Sequence, residues 1–412
     1  MKEILDVAII GGGASGLCTA VSLKQRDRSL AVGIFEQLPR VGKKLITTGN
    51  GRCNITNKNI SKDRYHGEDV SFSDYALSTY DNLYTEAFFA DLGVVFTYEE
   101  DKIFPMSLQA SSVVDALRFY CDNSGVLTVT DTKITEISKQ NGIFGIKSAD
   151  DKTFYSKSIV VASGLYSGGE KLGSTGSILK LLKQKGYKTS PVTPSIVQLK
   201  TDNKITKSLK GIKVVADVTL YNDGKPVKSD SGEVLFCDYG LSGPPVMQIS
   251  RAVSRDKGKF TVGLDICPLY SFSNLCDLIT FRVSALRGRA LEEFFTGMLN
   301  KRVGQQIVKL SGKNLSDSVD DLTTADVKKM ASIIKNLQFE VVGTTGFQNS
   351  QVSAGGLKTD GFNPLSMMSK AEKGLFAVGE ILDIDGDCGG FNLQWAWSSA
   401  FCAADGIINY LM

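Results

Sequence analysis

Histidine is nearly absent from this 412-residue chain, which carries only His66. One imidazole cannot build a His-rich metal cage or the usual two-histidine zinc site, so no metal centre is expected. Proline is also scarce, with 9 residues, about 2% where about 5% is usual. The eight cysteines, Cys18, Cys53, Cys121, Cys237, Cys267, Cys276, Cys388 and Cys402, form no C-x-x-C pair and no tight cluster. Reduced thiols are expected, and disulfide reductase chemistry is not. No apolar run approaches the roughly 18 residues of a membrane span. Glu3 and Asp6 fall where a secretory leader would be apolar, so a cytoplasmic protein without membrane contact is expected. Neither charge sign dominates, 47 Lys+Arg facing 44 Asp+Glu. That balance speaks against a polyanion-coating protein, and no DNA partner is expected.

Glycine, by contrast, is abundant at 41 residues. Excess glycine without proline points to special backbone positions rather than disorder. The apolar run Ile4–Ile10 reads as a buried strand and leads directly into Gly11-x-Gly13-x-x-Gly16 and a helical stretch, Leu17 to Gln25. Residues 31–35 read as the second strand, ending at Glu36. In this pattern the first glycine permits the turn, the second lets a pyrophosphate approach backbone, and the third allows close helix–strand packing. An acid at the end of the second strand accepts from ribose hydroxyls, and its charge disfavours a 2′-phosphate. FAD or NAD therefore fits better than NADP; the plain alternative is a glycine-rich turn beside a solvated Glu36.

Downstream residues separate the two dinucleotides. Residues 374–380 read as a buried strand ending in Gly379-Glu380, and residues 389–392, Gly-Gly-Phe-Asn, open a helix from about Leu393 to Tyr410. The positive end of such a helix can face the edge of a flavin that gains charge on reduction. Asp383, Asp385 and Asp387 between them resemble the start of a calcium loop, but position twelve is Gln394 rather than a bidentate Glu. Residues 37–66 read as a long functional loop. Its segment Gly49–Asn54, with Lys43, Lys44 and Arg52, places positive charge where phosphates or a reduced flavin can lie. Cys53 reads either as a redox partner or as a packed thiol, and His66 as a solvated side chain.

The remaining texture suggests an interrupted nucleotide-binding domain. Residues 127–161 alternate as strands and run into Ala162-Ser163-Gly164. Beyond Pro194, alternating segments and Asn222-Asp223-Gly224 describe antiparallel hairpins. From Ser273 to Asn336 the pattern is helical, and after Phe339 the glycine-rich α/β texture returns. The expected division is 1–191 with 339–412 as a Rossmann-type domain, 192–272 as an inserted β-barrel-like domain, and 273–338 as a small helical domain.

Several stretches carry a resemblance: residues 41–45 (Val-Gly-Lys-Lys-Leu), 51–57 (Gly-Arg-Cys-Asn-Ile-Thr-Asn), 173–176, 240–244 (Gly-Leu-Ser-Gly-Pro) and 389–399. Nearly end to end, the chain resembles the BaiN/RdsA-like family of bacterial NAD(P)/FAD-dependent oxidoreductases. The resemblance implies an α/β fold of the glutathione-reductase-like FAD-binding type, and reduction of a conjugated C=C bond in an enone-type small molecule or in uridine of ribosomal RNA. The alternatives are a flavin oxidase or dehydrogenase of an amine or C–H substrate using O₂, and an FAD-carrying RNA-binding protein using the lysine-rich segments 200–213, 301–313 and 328–335. Those runs read equally as solvated faces. NAD(P)H is the expected transient donor, although no second dinucleotide fingerprint appears between residues 100 and 340.

The chain departs from the family at Phe236-Cys237-Asp238-Tyr239, where many members read Phe-Thr-His, and at Met368, where they carry an acid. Expected cofactor contacts are Gly11, Gly13, Ala14, Ser15, Gly16, Glu36, Gln37, Lys43, Lys44, Gly51, Arg52, Cys53, Asn54, Ala162, Ser163, Gly164, Gly379, Glu380, Asp383, Gly389, Gly390, Phe391 and Asn392. Arg52, Cys53, Asp238 and Tyr239 are the expected catalytic candidates.

Overall fold

Residues 4–10 are apolar on both faces, as a strand covered on both sides requires. In a computed structural model, which describes residues 4–412, they form strand β1 (Ile4–Ile10), with Val7 through Ile10 buried. Helix α1 (Ala14–Arg26) starts directly from Gly13 and carries Lys24 and Arg26 in its last turn, where cations suit the negative helix end. Strand β2 (Val32–Phe35) lies parallel to β1, with Ile10 beside Phe35. Later come β3 (Tyr65–His66), β4 (Thr153–Val161), β5 (Leu375–Ala377), β6 (Asp385–Gly386) and the last helix, α2 (Phe391–Leu411).

The main sheet of this first unit, residues 1–194 and 347–412, runs from strand Leu127–Val129 through β2 and β1 to β4. β5 pairs parallel with the end of β4, and the hairpin Ile134–Gln140/Ile143–Ser148 lies antiparallel to its beginning. Because β1 has β2 on one side and β4 on the other, the strand order reverses between β1 and β4, and a crevice opens beyond their carboxyl ends. α2 packs against α1. Trp395, Trp397 and Phe401 are fully enclosed, which explains its apolar sequence. Among the described residues no helix is long and apolar enough to cross a membrane.

The second unit, residues 195–346, is built on a six-stranded closed barrel. Its central hairpin, Lys213–Asn222 with Lys225–Phe236, turns at Asp223 and Gly224 with φ of 49° and 78°. Two consecutive positive φ values match the twist of the strands, which is why Asp-Gly stands there. Two boundaries differ from the sequence reading. The return expected at residue 339 falls inside strand Leu337–Thr344, which pairs with Phe260–Asp265 and Leu199–Thr201 and completes the barrel. The helical stretch shares one apolar core with the barrel: Ile279, Phe294 and Met330 belong to the cluster that holds Val218 and Leu264. Within that helical stretch, Leu291–Glu293 forms only a short 3-10 turn, with Leu291 and the following Phe294 and Phe295 buried.

Candidate functional site

The glycine turn is shaped by what surrounds it. A Cβ on Gly16 would lie 1.9 Å from the carbonyl oxygen of Gly11, and one on Gly11 would lie 2.6 Å from that of Ala162. Both positions therefore exclude a side chain and hold β1, α1 and the end of β4 together. Gly13 differs: it caps α1 without a side-chain bond, and a Cβ there would meet nothing within 4 Å. Open space thus lies beside the positive end of a helix, the requirement for a bound phosphate. Glu36 accepts from the backbone N–H groups of Gly12 at 2.8 Å and Leu38 at 2.9 Å. Burial raises its carboxyl above the ordinary value, and the backbone donors at Leu38, Gly12 and Gln37 act in the opposite direction. Each carboxylate oxygen keeps a lone pair for a further donor. Gln37 donates to the carbonyl of Gly173.

A second cluster gathers four segments of the first unit around Glu380, which follows the carboxyl end of β5. Lys44 pairs with Glu380 and also donates to the hydroxyl of Ser167. Ser167 donates to Glu380 Oε1 at 2.5 Å, and Ser353 N–H donates to the same oxygen at 2.8 Å. Ser353 Oγ in turn accepts from the N–H groups of Tyr166 and Ser167. A Cβ on Gly164 would lie 3.4 Å from Glu380 Oε2. Gly379, at φ 70°, has no room for a side chain, since a Cβ would lie 2.8 Å from Ser15 Oγ, and its N–H donates to the Ser399 hydroxyl at 2.9 Å, joining this cluster to α1 and α2. Ser167 and Ser353 were missed by sequence reasoning: Ser167 lies in an irregular segment, and Ser353 in a short, fully buried strand, Val352–Leu357, where no polar–apolar alternation marks it out.

The third group surrounds the first turn of α2. Gly389 and Gly390 have φ of 122° and 99°, and a Cβ on Gly390 would lie 2.7 Å from the carbonyl oxygen of Thr56. Asn57 donates to the Gly389 carbonyl at 2.9 Å, and Asn392 bonds both ways with the Gly386 backbone at 2.8 Å. Asn54 is buried, and its Oδ1 has no hydrogen-bond partner among the described residues. Asp383 is buried too; its Oδ2 accepts from the Glu68 N–H at 3.3 Å, while its Oδ1 lacks a partner among those residues. Among the described residues no group of three His, Cys, Asp or Glu side chains is placed to hold a metal. His66 is not the solvated side chain expected from the sequence: its Nε2 lies 2.8 Å from Oδ1 of the buried Asp387.

The expected catalytic residues fare unevenly. Arg52 is engaged on the surface, forking onto Glu99 at 2.7 and 3.1 Å and stacking 4.5 Å over Phe104. Cys53 is fully buried at φ 58°, and burial pushes its thiol up to about 12, with a bond to Thr48 opposing. That is the packed-thiol alternative, since a redox partner of flavin needs an accessible thiolate. Asp238 and Tyr239 belong to the second unit. Asp238 is exposed and bonds Lys210 at 2.6 Å, which holds its carboxyl below the ordinary range. It carries no proton to give near neutral pH. Burial, and then Cys237, push the Tyr239 phenol up, so it keeps its proton. Within the lysine-rich segments, Lys213, Lys313 and Lys335 are paired with Glu233, Asp326 and Asp265.

A family model described as the HI0933-like protein Rossmann domain matches residues 5–406. The 3-dehydro-bile acid delta(4,6)-reductase of Clostridium scindens is 33% identical over 400 residues, covering 96% of this chain and 97% of that protein. A ribosomal RNA dihydrouridine synthase of Haemophilus influenzae is 27% identical over 411 residues, covering 98% of each. Among solved structures, the 3-ketosteroid-delta4-(5alpha)-dehydrogenase of Rhodococcus jostii in complex with 4-androstene-3,17-dione superposes with a TM-score of 0.50 at 12% identity, over 98% of each chain. At that identity the likeness is one of fold.

Proposed function

The chain belongs to the HI0933-like family and is an FAD-dependent oxidoreductase, and from that premise we propose that it reduces a C=C bond conjugated to a carbonyl in an enone-type small molecule. The observation that carries this reading is the end-to-end likeness to a bile-acid reductase at 33% identity. A second reading, reduction of uridine in ribosomal RNA, draws on the 27% relative. NAD(P)H is proposed as the transient electron donor.

The residues present fit the cofactor. The open space at Gly13 and the start of α1 suit its pyrophosphate. Glu36 has acceptor capacity left for ribose hydroxyls. Lys44 and Glu380 neutralise each other, so this pair suits an uncharged polyol chain rather than a phosphate, a change from the phosphate role expected for Lys44. When bound, FAD supplies hydride at its ring N5. The start of α2 would stabilise negative charge on a nearby ring edge by about 0.3–2 kcal/mol. Of the expected donors, Cys53 is packed and Asp238 is held below the ordinary carboxylate range, while Tyr239 keeps its proton; both Asp238 and Tyr239 belong to the second unit.

The test is direct. Purified protein is expected to carry FAD, and Glu36→Arg or Gly13→Val to yield folded apoprotein through conflict at the ribose and pyrophosphate. Full flavin content in both variants would defeat the assignment. Anaerobic addition of NADH or NADPH, followed by loss of the visible flavin band, identifies the donor.

A further inference from the structure

With Cys53 packed, and with Asp238 and Tyr239 both in the second unit, the first unit needs another group able to deliver a proton, and the chain's one histidine is placed for it. β3 and β6 pair antiparallel, setting His66 opposite Asp385, two residues before Asp387. The Asp387 N–H donates to the Arg64 carbonyl at 2.8 Å, and the Asp387 carbonyl accepts from Asn392 Nδ2 at 3.2 Å. Tyr65 OH donates to the Phe391 carbonyl at 3.2 Å. These bonds fasten the histidine strand to both flanks of the Gly389-Gly390 turn, where α2 begins.

We infer that His66, oriented by Asp387, is a proton donor at the flavin end of the site. The inference rests on the cofactor reading above, in which the start of α2 faces the flavin ring. A carboxylate only accepts, so the hydrogen between the two lies on Nε2. Nδ1 has no partner among the described residues and is the nitrogen left for exchange. The His66 side chain is 25% exposed and that of Asp387 only 9%. The imidazole is thus reachable while its orienting carboxylate is sheltered. Charged groups around it are Asp385 across the strand pair, Arg64 at 3.5 Å from Asp387 Oδ2, Asp63 on its own segment, and Asp383 with Glu68, which is itself paired to Lys358 at 2.7 Å. In the step assigned to it, the Nδ1–H bond of the imidazolium breaks and a C–H bond forms at the substrate α-carbon, using the electron pair of the enolate. The hydride at the β-carbon comes through the oxidoreductase activity, its electrons from a nicotinamide-class donor. Neutral imidazole remains and is reprotonated from water.

The single histidine makes the test unambiguous. In holoprotein carrying isotope-labelled histidine, the imidazole nitrogen signals are expected to move when the bound flavin is reduced with dithionite. Signals that stay put in flavin-loaded protein overturn the inference. In parallel, the reduced holoenzymes of wild type and His66→Gln are reoxidised either by 4-androstene-3,17-dione under anaerobic conditions or, separately, by O₂, whose reduction delivers no proton to carbon. The expected result is an enone rate lower by about a hundredfold or more, with the O₂ rate unchanged within about twofold. Equal enone rates overturn the proposal. A merely structural dyad would lower the melting temperature and leave the ratio of the two rates alone. Protein without flavin would instead defeat the cofactor reading, and a wild type that ignores the enone would defeat the substrate reading, leaving the nuclear resonance result to judge His66.

Discussion

Lys44 and Glu380 lie 336 residues apart in sequence, and Ser167 sits between them in the chain with no pattern around any of the three. Their meeting was therefore invisible in the sequence, whereas Gly11, Gly13, Gly16 and Glu36 were legible because one turn requires all four. The Lys44–Glu380 pair is only partly exposed, so removing one partner leaves the other poorly solvated. Lys44→Met is expected to destabilise the protein by about 1–3 kcal/mol and to weaken flavin retention. Lys44→Met with Glu380→Leu should recover part of that stability. Chemical denaturation checks both, and a double variant weaker than the single one would contradict the account. Cys53, with its thiol raised to about 12, is expected to resist thiol reagents in native protein at neutral pH, as mass spectrometry can follow. Cys53→Ala should leave flavin content and reduction unchanged. Burial of this thiol could not be read from its polar, glycine-bracketed neighbours.

Elements were legible in proportion to the regularity of their patterns. The apolar spacing over Ser73–Asp91 favours a helix, yet the chain forms two, Asp74–Thr79 and Asn82–Asp91, with Asp81 capping the second by accepting from the Tyr84 N–H. A cap inside an apolar-periodic run was overlooked. The helix Thr324–Lys335 starts with a reciprocal cap between Thr323 and Asp326. Slight burial raises the Asp326 carboxyl, but bonds from Thr323 and Lys313 outweigh it and hold the group below its ordinary value. A folded value below the unfolded one gives stability that is present above the ordinary carboxylate range and lost as the pH falls through the folded value. Acid titration of unfolding should show that loss in wild type and a smaller one in Asp326→Asn. An identical acid profile in the variant would remove this cap from the account.

Across the whole molecule, the insertion was recognised but its end was misplaced, because the strand Leu337–Thr344 alternates much like the segments that follow it. Its two ends are braced: Thr345 donates from its N–H to the Gln198 carbonyl at 3.1 Å and from its hydroxyl to Gln198 Oε1 at 2.7 Å. With adjoining termini, a closed barrel and one core of its own, the segment 195–346 is expected to fold when expressed alone, unfolding cooperatively by circular dichroism and carrying no flavin. The rest of the chain faces the opposite situation. β5, Glu380 and α2 follow the insertion in sequence, yet they line the same crevice as β1 and the glycine turn. During synthesis on the ribosome the opening strand and helix must therefore wait, with the crevice half-walled, until the final stretch of the nascent chain emerges. Flavin capture is then expected to wait until β5 and α2 have been made, so that coenzyme supply would act on the closed crevice rather than on its first wall.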